Sequence, residues 1–187
     1  MILKMNTANK ITVFRIILVP IFMCLMLIDS TACRMWALVV FIVASLSDWA
    51  DGYIARRFNQ ITNFGKFMDP IADKMLTTSA FLALLEVGRI TWLGSVAIML
   101  ILAREFMVSG LRMLASSEGK VIAASMFGKI KTVAQMITII AAIVMMNEKW
   151  FIQEPAVLIT NILVWISTAF TVLSGIDYMW KNRSVLK

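Results

Sequence analysis

Six apolar segments, separated by short polar breaks, occupy most of this 187-residue chain, in which 60% of the residues are hydrophobic. Because hydrocarbon offers the backbone no hydrogen-bonding partner, apolar segments of about 20 residues cross a bilayer as helices. The sequence therefore predicts an all-α integral membrane protein with six transmembrane helices. No internal repeat or low-complexity tract interrupts the pattern, so we expect residues 1–187 to form a single domain. The predicted helices cover residues 11–29, 36–57, 69–87, 91–114, 127–147 and 152–180.

The basic residues indicate the orientation of these helices. Arg34, Arg89 and Lys149 fall on one side of the membrane, and the other 15 of the 18 lysines and arginines fall on the opposite side or in the helix halves nearest to it. Cytoplasmic loops carry the excess of Lys and Arg. The side with most of the positive charge is therefore predicted to be cytoplasmic.

Four helices have an uncharged part that is too short to cross a bilayer, which needs about 20 residues. Their charged ends must then lie at membrane depth, and alternation of helix direction puts all of these ends on the cytoplasmic side. We therefore expect a polar active-site cavity that opens to the cytoplasm. The sixth helix has no charge over residues 157–176 and is interpreted as scaffold or subunit contact. The four short parts are residues 35–47, 75–85, 90–103 and 135–146.

Two pairs of aspartates lie in the second and third predicted helices. Asp48 and Asp51 are three residues apart, and Asp69 and Asp73 are four apart, so each pair shares one helix face. Residues 57–65 are predicted to form a polar turn that brings the two pairs together. Ion pairing with nearby lysines and arginines is the simpler explanation, but it does not require two same-face pairs. Converging carboxylates favour divalent cations, and ligands that are all oxygen suit Mg²⁺ or Mn²⁺.

A basic cluster is predicted in the fourth and fifth helices. Arg104 and Arg112 are eight residues apart and share a helix face, while Lys129 and Lys131 open the next helix. Snorkelling towards lipid headgroups would explain each residue singly. Together they favour a site for an anionic group such as phosphate.

Three polar residues at three-residue spacing, Asn9, Thr12 and Arg15, open the first helix. Asn9 is interpreted as the helix N-cap and Arg15 as a lipid anchor. The chain has no histidine, which excludes histidine-based acid–base catalysis and histidine-ligated metal. No basic segment with interleaved aromatic residues supports nucleic-acid binding, so we expect no nucleic-acid partner.

The aspartates belong to a longer pattern that resembles the signature of the CDP-alcohol phosphotransferases. Length, predicted helices and the position of the motif also resemble this family over the whole chain. Residues 104–106, 109–112 and 128–132, with Gln135, are similar to segments of the bacterial phosphatidylglycerophosphate synthases, a subgroup of the family. The residues that match the signature are Asp48, Asp51, Gly52, Ala55, Arg56, Gly65, Asp69 and Asp73.

The resemblance implies that the aspartates hold two Mg²⁺ or Mn²⁺ ions on the diphosphate of a CDP-linked lipid, with Asp73 also acting as general base. It implies that Gly52, Ala55, Arg56 and Gly65 border the CDP-lipid. The implied substrates are CDP-diacylglycerol and glycerol 3-phosphate, and the basic cluster (Arg104, Arg112, Lys129 and Lys131) would bind the phosphate of the acceptor. A homodimer in the bacterial inner membrane, surrounded by membrane lipids, is also implied.

Two alternatives remain open at this point. The first keeps the reaction and replaces the acceptor with inositol phosphate or serine. The second is a transporter of divalent cations whose aspartates line a path. Apolar outer helix halves disfavour the transporter, because such a path needs polar residues in both leaflets.

Overall fold

The computed structural model describes residues 7–57, 63–117 and 126–183. Side chains are described for these residues except 7, 8, 49–57, 63–67, 69, 70, 73, 116 and 117. The described chain forms six helices, as predicted. They are α1 (Thr7–Leu27), α2 (Thr31–Arg57), α3 (Asn63–Glu86), α4 (Trp92–Ser117), α5 (Met126–Met145) and α6 (Gln153–Lys181).

The largest differences from the prediction lie at the starts of α2 and α3. The Ser30 carbonyl accepts a hydrogen bond from the Arg34 N–H at 3.0 Å, so α2 begins directly after Ser30, a residue type preferred before a helix. Helix α3 begins at Asn63, six residues earlier than expected. The predicted turn over residues 57–65 is therefore wrong from residue 63 onward, and Gly65 lies inside a helix.

Five of the six helices contain a stretch long and apolar enough to cross a membrane. In the part of the chain that the structure describes, α3 does not meet this criterion. The protein is thus an all-α membrane protein, as predicted, while the sixth span and the cytoplasmic cavity stay predictions. The five stretches are Asn9–Leu27, Thr31–Asp48, Trp92–Ala115, Met126–Met145 and Gln153–Lys181.

The chain divides into two compact units, Met1–Val87 and Gly88–Lys187, here called the N-terminal and C-terminal units. In the N-terminal unit α1 packs against both α2 and α3, which touch each other over a smaller area. Phe22 of α1 and Phe41 of α2 are both fully buried, and their ring centroids are 5.8 Å apart. The single domain over residues 1–187 stays a prediction.

In the C-terminal unit α6 packs against both α4 and α5. Asn161 of α6 fixes the start of α4, since its Oδ1 accepts hydrogen bonds from the N–H and the hydroxyl of Thr91 at 3.0 and 2.8 Å. The face of α6 that is buried in this unit is rich in hydroxyl groups. Its members include Thr160, Ser167, Thr168, Thr171, Ser174 and Tyr178.

Candidate active site

The N-terminal unit carries the four aspartates on two helices. Asp48 and Asp51 lie one turn apart on α2, and Asp69 and Asp73 lie one turn apart on α3. The helical spacing of both pairs is therefore as predicted. Of the four side chains only that of Asp48 is described, so the convergence of the carboxylates stays a prediction.

The Asp48 carboxylate is held by a buried arginine of α1. Arg15 donates a hydrogen bond from Nη1 to Asp48 Oδ1 at 2.5 Å, and the Arg15 side chain is only 1% exposed. The interpretation of Arg15 as a lipid anchor is thus wrong. Asn9 and Thr12 are buried on the same helix. Asn9 is not an N-cap, because it lies inside α1. All three face protein because α1 packs against the other two helices of its unit.

The ion pair between Arg15 and Asp48 is asymmetric. Half of the Asp48 side chain remains exposed, whereas the guanidinium is enclosed. A carboxylate has about four lone-pair sites, so Asp48 can accept from Arg15 and still bind a further group. Truncating Asp48 would leave a buried positive charge without this partner, which is costly.

The chemistry of the donor set fits a hard divalent cation. Four aspartates offer only oxygen, the donor that Mg²⁺ and Mn²⁺ prefer. Among the described side chains, no group of three potential ligands occurs. The other three aspartate side chains lie outside that set, so metal binding stays a prediction.

The candidate CDP-lipid residues lie near the same ends of these helices. Gly52, Ala55 and Arg56 belong to the last two turns of α2, and Gly65 belongs to the first turn of α3. The structure does not describe the side chains of Ala55 and Arg56 or the surroundings of the two glycines. Their roles stay predictions.

The basic cluster of the C-terminal unit begins at Arg104. This residue is 6% exposed on α4, and its Nη2 donates a hydrogen bond to Ser174 Oγ of α6 at 2.6 Å. Its Nη1 lies 3.6 Å from Oε1 of the neighbouring Glu105. Arg104 is therefore fixed inside the protein and does not snorkel to the membrane surface.

Glu105 also connects α4 to α5. The buried Lys131 ammonium donates a hydrogen bond to Glu105 Oε1. Lys129 is exposed, since at 3.6 residues per turn a residue two positions away faces the other side of the helix. The structure thus joins Arg104 and Lys131 through one carboxylate, and the place of Lys129 in the cluster stays a prediction.

Arg112 lies two turns beyond Arg104 and contacts α6 through an aromatic ring. Its Nε donates a hydrogen bond to the Tyr178 hydroxyl at 3.0 Å. The guanidinium carbon is also 5.4 Å from the centroid of the Tyr178 ring, within the range of a cation–π contact. Arg112 itself remains exposed, which leaves its other donors available.

The described geometry thus gives one unit with helical aspartate pairs and another with a cluster of cations. Residues 5–173 match the family model described as CDP-alcohol phosphatidyltransferase, and this match covers most of both units. The chain belongs to the CDP-alcohol phosphatidyltransferase family.

Curated relatives of this family resemble the chain over nearly its full length. A protein of Bacillus subtilis (strain 168) is 38% identical, with 97% of each chain covered. A protein of Rickettsia bellii is 35% identical over 92% of this chain and 93% of its own. A protein of Shigella flexneri serotype 5b is 33% identical, with 98% of each covered. All three are named CDP-diacylglycerol–glycerol-3-phosphate 3-phosphatidyltransferase.

The sequence-based interpretation of α6 as scaffold or subunit contact was incomplete, because α6 also contacts residues of the basic cluster. The buried face of α6 supplies Ser174 to Arg104 and Tyr178 to Arg112, and its Thr171 hydroxyl accepts from Gln135 Nε2 of α5 at 3.0 Å. The missed signal was a stripe of hydroxyl residues at helical spacing. Ser and Thr are compatible with an uncharged span, so the absence of charge concealed a polar face.

Neutral hydroxyls position the two arginines of the basic cluster, Arg104 and Arg112. In the contacts described above, Arg104 and Arg112 each contact a neutral hydroxyl, and Arg104 and Lys131 share the carboxylate of Glu105. A hydroxyl orients a guanidinium without neutralising it. The cluster therefore retains an excess of positive charge and can attract an anionic group.

Proposed function

We propose that this protein transfers the phosphatidyl group of CDP-diacylglycerol to glycerol 3-phosphate, giving phosphatidylglycerophosphate and CMP. Support comes from relatives that carry the corresponding name, cover 92–98% of this chain and are 33–38% identical to it. Their name also favours a transferase over the cation transporter that the sequence left open.

The reaction requires a nucleophile, a leaving group and a proton acceptor. A hydroxyl of glycerol 3-phosphate attacks the phosphorus that carries diacylglycerol, and the bond from this phosphorus to the oxygen of the CMP group breaks. The hydroxyl proton passes to Asp73, and CMP leaves with the bonding electron pair. This assignment of Asp73 rests on the family signature.

Asp48, Asp51, Asp69 and Asp73 would hold two Mg²⁺ or Mn²⁺ ions. When bound, such ions neutralise the diphosphate and stabilise the charge that develops on the leaving group. Arg15 keeps Asp48 in place by the hydrogen bond described above. Gly52, Ala55, Arg56 and Gly65 would border the CDP-lipid.

The hydroxyl-supported basic cluster favours an acceptor that carries an anionic group, and the names of the relatives favour glycerol 3-phosphate over inositol phosphate. Arg104 and Arg112 are positioned by Ser174 and Tyr178, and neither hydroxyl cancels their charge. An acceptor that carries phosphate can use this positive charge, whereas serine brings a positive amine. Lys129 and Lys131 would complete the phosphate site.

We place this activity in the inner membrane of a bacterium, with a polar cavity that opens to the cytoplasm. The excess of Lys and Arg on that side supports the orientation. A homodimer is the assembly that we propose from the family resemblance, and the mass of the purified protein measured by light scattering tests it.

An acceptor panel tests the proposed function. Purified protein with CDP-diacylglycerol and Mg²⁺ is given glycerol 3-phosphate, inositol phosphate, serine or glycerol, and released CMP is measured. We expect rapid CMP release with glycerol 3-phosphate alone. Faster CMP release with inositol phosphate or serine would identify that compound as the acceptor instead. No CMP release with any of the four compounds would refute the transferase activity.

A further inference from the structure

A groove runs along the outside of the C-terminal unit where α4 and α6 lie side by side. Its volume is about 590 Å³, within the roughly 300–1,000 Å³ that ligand pockets occupy. We call it the α4–α6 groove. Its walls are apolar, and they include Leu100, Met107, Val172, Ile176 and Met179.

The only charged residues that line the α4–α6 groove within the described chain are two arginines. Arg183 lies at its mouth, 5.5 Å from the centroid of the Trp180 ring, and Arg104 lies deeper. The nearest carboxylate along α6, Asp177, is paired with Lys181 at 2.7 Å. The mouth of the groove therefore keeps its positive charge.

Arg104 has a polar atom that its protein surroundings leave unsatisfied. Its Nε is buried and has no hydrogen-bond partner, although Nη2 is bonded to Ser174. An unpaired buried N–H is costly, so an acceptor at this position is expected. Gly175 forms the adjoining floor, where a Cβ would come within 2.8 Å of Arg104 Cγ.

The dimensions of the groove match one leaflet of a membrane. Val172 and Arg183 are eleven residues apart, which at about 1.5 Å per residue corresponds to roughly 16 Å, about half of the hydrocarbon core. Trp at the end of a membrane helix favours the headgroup level. The groove therefore reaches from headgroups to the depth of acyl chains.

We propose that the α4–α6 groove binds one anionic diacyl phospholipid of the surrounding bilayer. The lipid phosphate lies at Arg183 and Trp180, an ester carbonyl accepts from Arg104 Nε, and an acyl chain follows the apolar walls. Phosphatidylglycerol, with one negative phosphate and a neutral glycerol head, has this chemistry. The groove shares Arg104 with the proposed acceptor site, but lipid binding at Arg183 and Trp180 needs no phosphatidyl transfer and does not rest on the proposed function.

Lipid binding can be measured without turnover. Full-length protein is stripped of lipid in a neutral detergent, kept in EDTA without CDP-diacylglycerol, and titrated with phosphatidylglycerol and phosphatidylcholine of equal chain length. Native mass spectrometry counts the bound lipids. We expect one tightly held phosphatidylglycerol per chain, with affinity on the order of tenfold above that for phosphatidylcholine, as a charge-assisted hydrogen bond provides.

Two pairs of variants locate the site. Arg183→Gln should remove the tenfold preference, whereas Lys149→Gln, which removes the same charge at an exposed position of this unit outside the groove, should keep it. Ile176→Trp should fill the groove and block binding. Leu173→Trp adds the same ring at a similarly exposed position of α6 outside the groove and should bind normally.

Several results would overturn the proposal. Equal losses for Arg183→Gln and Lys149→Gln would mean adsorption by general surface charge, and equal binding of both lipids would mean an apolar groove without headgroup selection. A change of oligomeric state in Ile176→Trp would identify a second copy of the chain as the occupant. Because Arg183 is exposed, we expect its replacement to leave the fold intact. A loss of lipid selectivity in this variant would then report on the groove and not on unfolding.

Failure of this proposal is distinguishable from failure of the proposed function. Asp48→Asn should bind phosphatidylglycerol like the wild type although it no longer releases CMP. Normal CMP release without lipid selectivity would overturn the groove alone. Selective lipid binding by a protein that never releases CMP would overturn the transferase alone.

Discussion

The two units of this protein handle charge in opposite ways. In the N-terminal unit a buried cation, Arg15, holds an anion, Asp48, that stays half exposed. In the C-terminal unit neutral hydroxyls of Ser174 and Tyr178 accept hydrogen bonds from two cations, one of which, Arg104, also lies 3.6 Å from Glu105. The first arrangement fixes a carboxylate and leaves it able to bind cations. The second fixes guanidinium groups without cancelling their charge and so suits anions.

The largest effect is expected from Asp48→Asn. The amide keeps the shape of the carboxylate and can still accept from Arg15, but it loses the charge that a divalent cation needs. Loss of several kcal/mol of charge stabilisation corresponds to a fall in CMP release on the order of 10³-fold. Asp29→Asn is the matched control. Asp29 belongs to the same unit and is also paired with an arginine, Arg34, but its side chain is exposed and lies outside the proposed metal site. Equal activity of the two variants would refute the assignment of Asp48.

Arg15→Gln tests whether the buried cation positions Asp48. Residues that orient a metal ligand typically contribute 10–100-fold to metal affinity or activity, so we expect the Mg²⁺ concentration for half-maximal CMP release to rise by that order. Arg15→Lys, which keeps the charge, should recover part of the loss. An Arg15→Gln enzyme with lower stability and unchanged Mg²⁺ dependence would assign Arg15 a structural role only.

Arg112→Gln tests the anion-binding side of the comparison. Loss of a charge-assisted hydrogen bond costs about 1.5–3 kcal/mol, which raises the KM for glycerol 3-phosphate by about tenfold or more. Tyr178→Phe leaves the charge and removes only its positioning hydroxyl, so we expect a rise of a few fold. Steady-state kinetics with each substrate varied in turn checks this. A shift confined to the KM for CDP-diacylglycerol would place Arg112 at the other substrate.

Gly175→Ala should have the smallest effect. Its new Cβ would lie 2.8 Å from Arg104 Cγ, so the Arg104 side chain or α6 must shift. Such overpacking costs about 1–3 kcal/mol, and we expect lower thermal stability with a modest rise in the KM for glycerol 3-phosphate. Gly110→Ala is the control, since nothing lies within 4 Å of a Cβ there. Equal thermal stability and equal KM for glycerol 3-phosphate in the two variants would show that the position of Arg104 does not depend on its close approach to Gly175.

The positions of the aspartate pairs in the N-terminal unit were largely predictable from the sequence, whereas the hydroxyl contacts of the C-terminal unit were not. Apolar segment length predicted all six helices, and the spacing of Asp48, Asp51, Asp69 and Asp73 predicted their shared faces, because helical periodicity is local. The contacts of Arg15 with Asp48 and of Arg104 with Ser174 join residues 33 and 70 positions apart. Such partners depend on packing, and a Ser or Thr in an apolar helix does not reveal what it will bind.

Direct binding of Mn²⁺ tests the contrast between the two units without turnover. Electron paramagnetic resonance of the purified protein with CDP and Mn²⁺ measures free and bound metal. We expect the wild type and Arg112→Gln to bind Mn²⁺ alike and Asp48→Asn to lose most of the bound signal. Retained binding in Asp48→Asn, or equal loss in Arg112→Gln, would contradict the division between a cation-binding and an anion-binding unit.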